Sequence, residues 1–289
     1  MGRLVLLACL LSGCFACERK NPLPISSDFS AGRKLGQIDP VLEEASGLVA
    51  SRKNPGYLWT HNDSGDSARL FLINEEGKIV FTCYLQGAKN RDWEDVAIGL
   101  GPDSTSYLFV ADIGDNLARF PYKHIYCFEE PAFRGEAVDT LRQFHTLTIQ
   151  LDDGIRDSET LLADPVTQHL YLVSKREDAV RVYEVKNPLD ADTLRATFQL
   201  ELPFHNINGG DISPDGHEIL LRDYEAVYYW PRPAGITVAE ALRGTAKALR
   251  YQREAQGEAI AFKLDGSGYY TLSESPEQNW AHVRFYKRN

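Results

Sequence analysis

Three features of this 289-residue sequence predict an all-β fold of the β-propeller kind. One layout recurs five times along the body. The last recurrence stops one strand short, and a strand-like segment near the N-terminus is free to complete it. A propeller is a ring of four-stranded sheets around a central channel, and such a ring must close or expose an edge. The 14 Tyr, 13 Phe and 4 Trp are residues that strands favour.

The N-terminus is set aside first. Residues 1–13 (MGRLVLLACLLSG) join a basic start to a short apolar run and small residues, the pattern of an export signal. Leu11-Ser12-Gly13-Cys14 resembles the lipobox of bacterial lipoproteins, in which the cysteine becomes the acylated first residue. That resemblance implies a membrane partner reached through lipid on Cys14, and a place in the cell envelope. Phe15, where inner-membrane retention would want Asp, fits the outer membrane or the periplasmic face. Residues 14–30 are polar and carry Pro and Ser, and read as a tether; 31–289 is the propeller domain. No apolar run of bilayer length follows. Cys83 and Cys127 lie in strand-like runs; either they pair in an oxidising compartment or they are two buried thiols.

In the body, first strands begin at EEASGLVAS, DWEDVAIGL, RDSETLLAD, NGGDISPDG and QGEAIAFKL. Aligning Ser46, Glu94, Glu159, Gly210 and Glu258 gives spacings of 48, 65, 51 and 48. Second strands are GYLWTHNDS, SYLFVADIGDN, HLYLVSKRED, HEILLRDYE and GYYTLSES. Third strands are RLFLIN, HIYCFEE, VRVYEV, AVYYWP and VRFYK. Fourth strands are KIVFTCYL, RQFHTLTIQL, ATFQLEL and KALRYQ; the fifth unit has none, and residues 33–38 (RKLGQI) can supply it. The count is five blades. A sixth would have to hide in the 65-residue spacing, whose extra length (EPAFRGEAVDTL, 130–141) reads as a loop insertion. Only 237–249 (TVAEALRGTAKAL) has helical character.

This geometry predicts where a site must be. First strands line the channel, and the loops entering them open on the same face as the second-to-third loops. Acidic strand starts therefore gather Glu94, Asp95, Glu159, Asp211 and Glu258 around one axis. Like charges so close must share protons, pair with cations or bind metal. Oxygen donors without Cys select a hard ion, and irregular loops suit Ca²⁺. The competing reading is that each acid merely fixes a turn through backbone N–H groups. Lys175, Arg176 and Arg222 are the chain's own counter-ions.

Two stretches are richer than architecture requires: Trp59-Thr60-His61-Asn62-Asp63-Ser64-Gly65 and Asp112-Ile113-Gly114-Asp115-Asn116, with Asn90-Arg91-Asp92-Trp93-Glu94-Asp95 between them. They fall at adjoining places in the first two units and predict one wall of a pocket. Trp59, Asn62, Asp63, Trp93, Asp112, Asp115, Asn116, Arg176 and Arg222 are its candidate ligand-binding residues. His61 and Glu94 are the candidates for taking a proton. The trio WTHNDSG, DWEDVA and DIGDN resembles a group of bacterial secreted or lipid-anchored propellers, loosely similar to esterase-like and TolB-like propeller domains. What it implies is fold and compartment, not a reaction.

With 31 Lys and Arg against 41 Asp and Glu, net −10, a nucleic-acid partner is disfavoured, because phosphates need clustered bases. No GxSxG, HExxH, P-loop, GxGxxG or paired CxxC occurs. Two functions remain. One is a binding module for a small molecule, glycan or protein. The other is a Ca²⁺-dependent hydrolase of esters, lactones or phosphoesters, in which the ion would acidify a bound water.

Overall fold

The computed structural model describes residues 23–275 and 281–289; the expected export signal (1–13), Cys14 and the first part of the segment read as a tether lie outside them. The chain begins with β1 (Arg33–Gln37). The first unit follows as β2 (Ala45–Ala50), β3 (Tyr57–Asn62), β4 (Arg69–Asn74) and β5 (Ile79–Leu85). The second has β6 (Trp93–Leu100), β7 (Ser106–Asp112), β8 (Lys123–Glu129), β9 (Val138–Leu141) and β10 (His145–Leu151). The third has β11 (Ser158–Ala163), β12 (Leu170–Ser174), β13 (Val180–Val185) and β14 (Thr193–Leu202). The fourth has β15 (Gly209–Ile212), β16 (Glu218–Arg222), β17 (Val227–Pro231), helix α1 (Val238–Leu242) and β18 (Lys247–Ala248). The fifth has β19 (Gly257–Phe262), β20 (Gly268–Ser273) and β21 (His282–Lys287).

Each unit is an antiparallel meander, and its first strand is its innermost. β2 packs beside β6, β6 beside β11, β11 beside β15, β15 beside β19, and β19 beside β2. That closed circuit of inner strands makes the fold a propeller. The inner strands ASGLVA, SETLLA and GEAIAF are buried along their whole length. Their runs of Ala, Gly and Ser let the inner backbones crowd one axis, while larger apolar side chains fill the seams between sheets.

The last sheet is completed from the other end of the chain. β1 runs antiparallel to β21, pairing Arg33 with Phe285 and Gln37 with His282, as the unfinished fifth unit led us to expect. The closure extends further back. Ile25 bridges Ala248 in parallel, lengthening the edge that β18 leaves at only two residues. Phe29 is buried and meets Tyr229 and Tyr269 edge-on at 5.9 and 5.0 Å. Burying such a ring contributes about 2–3 kcal/mol, so residues 23–30, read as tether from their polarity, are held as part of the domain.

Three further local readings change. The segment 130–141 is not simply a loop: β9 returns to the first sheet and runs parallel to β5, with Thr82 opposite Val138 and Leu85 opposite Leu141. β10 likewise pairs with both β8 and the start of β14, which joins the second and third meanders into one eight-stranded sheet. The helical stretch shrinks to α1, whose Thr237 and Glu240 form a reciprocal capping box, while the residues after it regain extended structure. Cys83 and Cys127 are both buried free thiols, and burial pushes each up to about 12. Among the described residues no helix is long and apolar enough to cross a membrane.

Candidate functional site

The inner strands are not regular where they enter the channel. Pairing skips one residue in β6, β11 and β19, and the residues skipped are Glu94, Glu159 and Glu258. A bulge inserts one unpaired residue and re-aims its side chain. Here it brings three glutamates 65 or more positions apart in sequence toward one mouth. In β2 the skipped residue is Gly47, at φ +58, where a Cβ would lie 2.5 Å from His61 Nε2.

Around Glu94 the three motif stretches meet. Asn90 Nδ2 donates to the carbonyl of Asp63 at 2.8 Å, and the Asp92 amide donates to Asp112 Oδ1 at 3.0 Å. Gly114 lies so close that a Cβ there would stand 2.1 Å from Glu94 Oε1 and 2.5 Å from Asp92 Oδ2. The result is a group of carboxylate oxygens from Asp63, Asp92 and Glu94, all within 4.8 Å of one another. A second group has the same spacing and comprises Glu94, Asp157 and Glu159.

The two groups differ in their counter-charges. Lys175 Nζ stands 2.6 Å from Glu159 Oε2, and Arg176 Nε donates to Asp157 Oδ2 at 2.7 Å. The Asp115 amide donates to the other Asp157 oxygen at 2.7 Å. Tyr224 donates its hydroxyl to Glu258 Oε1 at 2.7 Å, and its ring lies 5.5 Å from the Lys175 ammonium. In contrast, Glu94 is 4 % exposed and its carboxylate receives no hydrogen bond from any described residue.

Burial, then the neighbouring carboxylates Glu159, Asp63 and Asp92, hold Glu94 well above the usual carboxylate range. Burial likewise pushes Glu159 up to about 8 against the pull of Lys175, Asp63 to about 7, and Glu274, hydrogen-bonded to Glu258, to about 9. Burial works to lower Lys175, but attraction to Glu159 and Glu258 outweighs it and raises that group. The mouth therefore carries protons near neutral pH that a cation would displace.

Several expected site residues lie elsewhere. Asp95 gives one oxygen to the amide of Val96 and the other to Leu161 on the next inner strand, at 2.8 and 2.9 Å. Asp211 does the same with Ile212 and Phe262, at 2.8 and 2.7 Å. Both acids, expected as metal ligands, are staples between neighbouring strands. His61 is fully buried, packs edge-on against Trp93 at 5.7 Å, and is lowered to about 4 by burial. It stays neutral behind Gly47 and is not placed to take a proton at the mouth.

Trp59 and Trp93 are fully buried, their indole N–H groups donating to Glu130 Oε1 and the carbonyl of Lys89, both at 2.9 Å. Neither offers a face to a ligand. Arg222 is also fully buried, donating to the Tyr251 hydroxyl at 2.6 Å and the carbonyl of Ala259 at 3.0 Å. It seals the seam between the fourth and fifth units. Asn62 braces a turn through the carbonyl of Val41 and Asp66. Asp115 caps the following loop through the amides of Arg119 and Phe120, both at 2.8 Å. Asn116 and Arg176 touch at the exposed rim.

Asp157 and Tyr224 were missed, and Asp92 stood inside a motif stretch without being singled out as a ligand. Asp157 had a signal: Asp157-Ser158-Glu159 repeats the spacing of Asp92-Trp93-Glu94. Tyr224 had none, because nothing local marks a loop tyrosine as facing the channel.

No protein-family model and no curated protein matches this chain. Among solved structures it is similar to the Cps50 (Swd1) β-propeller domain of Myceliophteria thermophila, at 11 % identity and a TM-score of 0.45, covering 88 % of this chain and 99 % of that one. It is also similar to a chain of a nidogen/laminin complex, at 15 % identity and a TM-score of 0.48, covering 80 % of this chain and 73 % of that one. Neither likeness bears on a ligand; the strand pairing carries the fold.

Proposed function

We propose that this protein is a five-bladed, lipid-anchored propeller of the cell envelope whose mouth binds one hard divalent cation, Ca²⁺, through Asp63, Asp92 and Glu94. The ion in turn holds an external small molecule, glycan or protein. The observation that carries this reading is Glu94, a carboxylate buried without a hydrogen-bond donor between two other acids. Burying an unpaired carboxylate costs several kcal/mol unless it is neutralised. Gly114 keeps clear the space that any side chain would take from it. An all-oxygen donor set from irregular loops suits the large, flexible shell of Ca²⁺, which takes about 6–8 oxygens. Three carboxylates leave positions open to water or to oxygens of a ligand, with the Arg176 and Asn116 side chains at the rim.

Of the two candidate bases for a hydrolase, His61 is walled off behind Gly47 and Glu94 is taken up as a cation ligand in this reading, so binding is favoured over hydrolysis. The test is Ca²⁺ uptake by the purified domain. At a hundredfold excess over Kd, binding is worth about 2.7 kcal/mol, or roughly 5–10 °C in the unfolding midpoint. Glu94→Gln should abolish both uptake and shift. A wild-type protein that neither takes up Ca²⁺ nor gains stability overturns the proposal. Cys14→Ser should move the protein from the membrane fraction to the soluble one; continued membrane residence overturns the anchor.

A further inference from the structure

Apolar side chains left in water call for a partner when they cluster, and they cluster on one loop of the mouth face. The second-to-third loop of the second unit spans residues 113–122, against 63–68, 175–179 and 223–226 in the first, third and fourth units. Its residues 116–122 are all exposed. Leu117, Phe120 and Tyr122 are 65, 43 and 45 % exposed, three large apolar side chains within one short stretch.

The loop is built to hold them there. The Asp115 carboxylate accepts from the amides of Arg119 and Phe120 at 2.8 Å each, and its carbonyl accepts from that of Ala118 at 2.8 Å. The buried Lys123 ammonium lies 3.4 Å from the same carboxylate. The Arg91 guanidinium stacks on the Phe120 ring at 4.4 Å while donating to the carbonyl of Asp112 at 3.1 Å. A loop already fixed loses little freedom on binding, so its exposed side chains are ready contacts.

The charges around the loop name the partner. Arg119 is exposed and has no ion pair among the described residues. Arg176 is half-exposed against Asn116, and Arg91 is partly exposed. The carboxylates beside them already have donors: Asp112 has the Asp92 amide, and Asp157 has Arg176 and the Asp115 amide. Three guanidiniums around three apolar side chains complement apolar residues flanked by carboxylates. Leu117 has no flat face for a sugar ring, and an anionic bilayer, being broad, would also meet the acids of the mouth.

We infer that residues 116–122 are a docking surface for a protein segment that presents apolar side chains flanked by Asp or Glu. This goes beyond the cation reading and does not need the ion.

The experiment selects binders from a random-peptide library with the purified Cys14→Ser protein, in chelator throughout, so that the cation reading is not at stake. Enriched peptides should combine apolar residues with Asp or Glu. Affinity for the best of them should fall at least about tenfold in Leu117→Ser and in Phe120→Ser, and fall also in Arg119→Glu. It should hold within about twofold in Val166→Ser, an apolar residue 62 % exposed on another loop. No enrichment, enrichment of basic peptides, or an affinity indifferent to the loop variants overturns the inference. So does sedimentation with phosphatidylglycerol vesicles that the same variants abolish, which would make the loop a membrane contact.

Discussion

Replacing Gly114 by alanine should separate the site from the scaffold. Its backbone lies outside the left-handed region, so alanine costs nothing in conformation and acts only by contact. The new Cβ would meet Glu94 Oε1 at 2.1 Å and Asp92 Oδ2 at 2.5 Å, whereas real Cβ contacts stay beyond 3.0 Å. Glu94 must therefore retreat by about 1 Å, a large fraction of a Ca–O bond of about 2.3–2.6 Å. Overpacking costs about 1–3 kcal/mol, and because the atoms met are carboxylate ends rather than backbone the cost should fall at the low end, about 1 kcal/mol, or roughly 2–4 °C in the unfolding midpoint. The loss of Ca²⁺ affinity should be at least about tenfold, as for a ligand pushed out of geometry. Calorimetric titration with Ca²⁺ reads the second quantity, and thermal unfolding in chelator reads the first. A variant that loses stability but binds Ca²⁺ with unchanged affinity would refute the assignment of Glu94 and Asp92 as ligands.

Three other outcomes follow from the same geometry. Asp211→Asn keeps one acceptor and loses the other, so it should cost about 1–3 kcal/mol in denaturant unfolding while Ca²⁺ affinity stays within twofold; a large affinity loss would return Asp211 to the site. In chelator, the folded protein holds protons on Asp63, Asp211, Glu159 and Glu274 up to about 7, 7, 8 and 9, where the unfolded chain has released them. Stability should therefore fall as pH rises from 5.5 to 9, and Ca²⁺ should reduce the fall; a midpoint that climbs with pH in chelator contradicts this. Arg232→Met breaks the paired contacts to Asp164 at 2.6 and 3.0 Å and strands a buried carboxylate, which should cost about 3–5 kcal/mol. Adding Asp164→Leu should recover much of that, and failure to recover would argue against an ion pair there.

Much of the architecture could be read in advance because repetition is visible in a linear string. Aligned strand starts place Glu94, Glu159 and Glu258 together without any knowledge of packing, and the short fifth unit calls for the strand that β1 supplies. The choice between Glu94 and Asp95 could not be read. They are neighbours, one turned into the channel by a bulge and the other into the seam, and a shift of one residue reverses which faces where. The same ambiguity placed Asp211 with the metal ligands. Trp59, Trp93 and Arg222 show a second blind spot: large amphipathic side chains sit near the mouth in sequence, yet seam packing claims their faces. The return of β9 to the first sheet was hidden because its four residues, VDTL, put two polar positions between two apolar ones and carry no alternation.

The clasp between β1 and β21 has a consequence for how the molecule is made. Its two halves are about 250 positions apart, so β1 cannot pair until β21, at the far end of the described strands, is at hand. Until then both margins of the nascent ring are raw, and the circuit cannot lock from one end. Such non-local closure slows folding. A destabilising change in β1 should therefore show itself chiefly in the final annealing step, leaving the earlier meanders to assemble on their own.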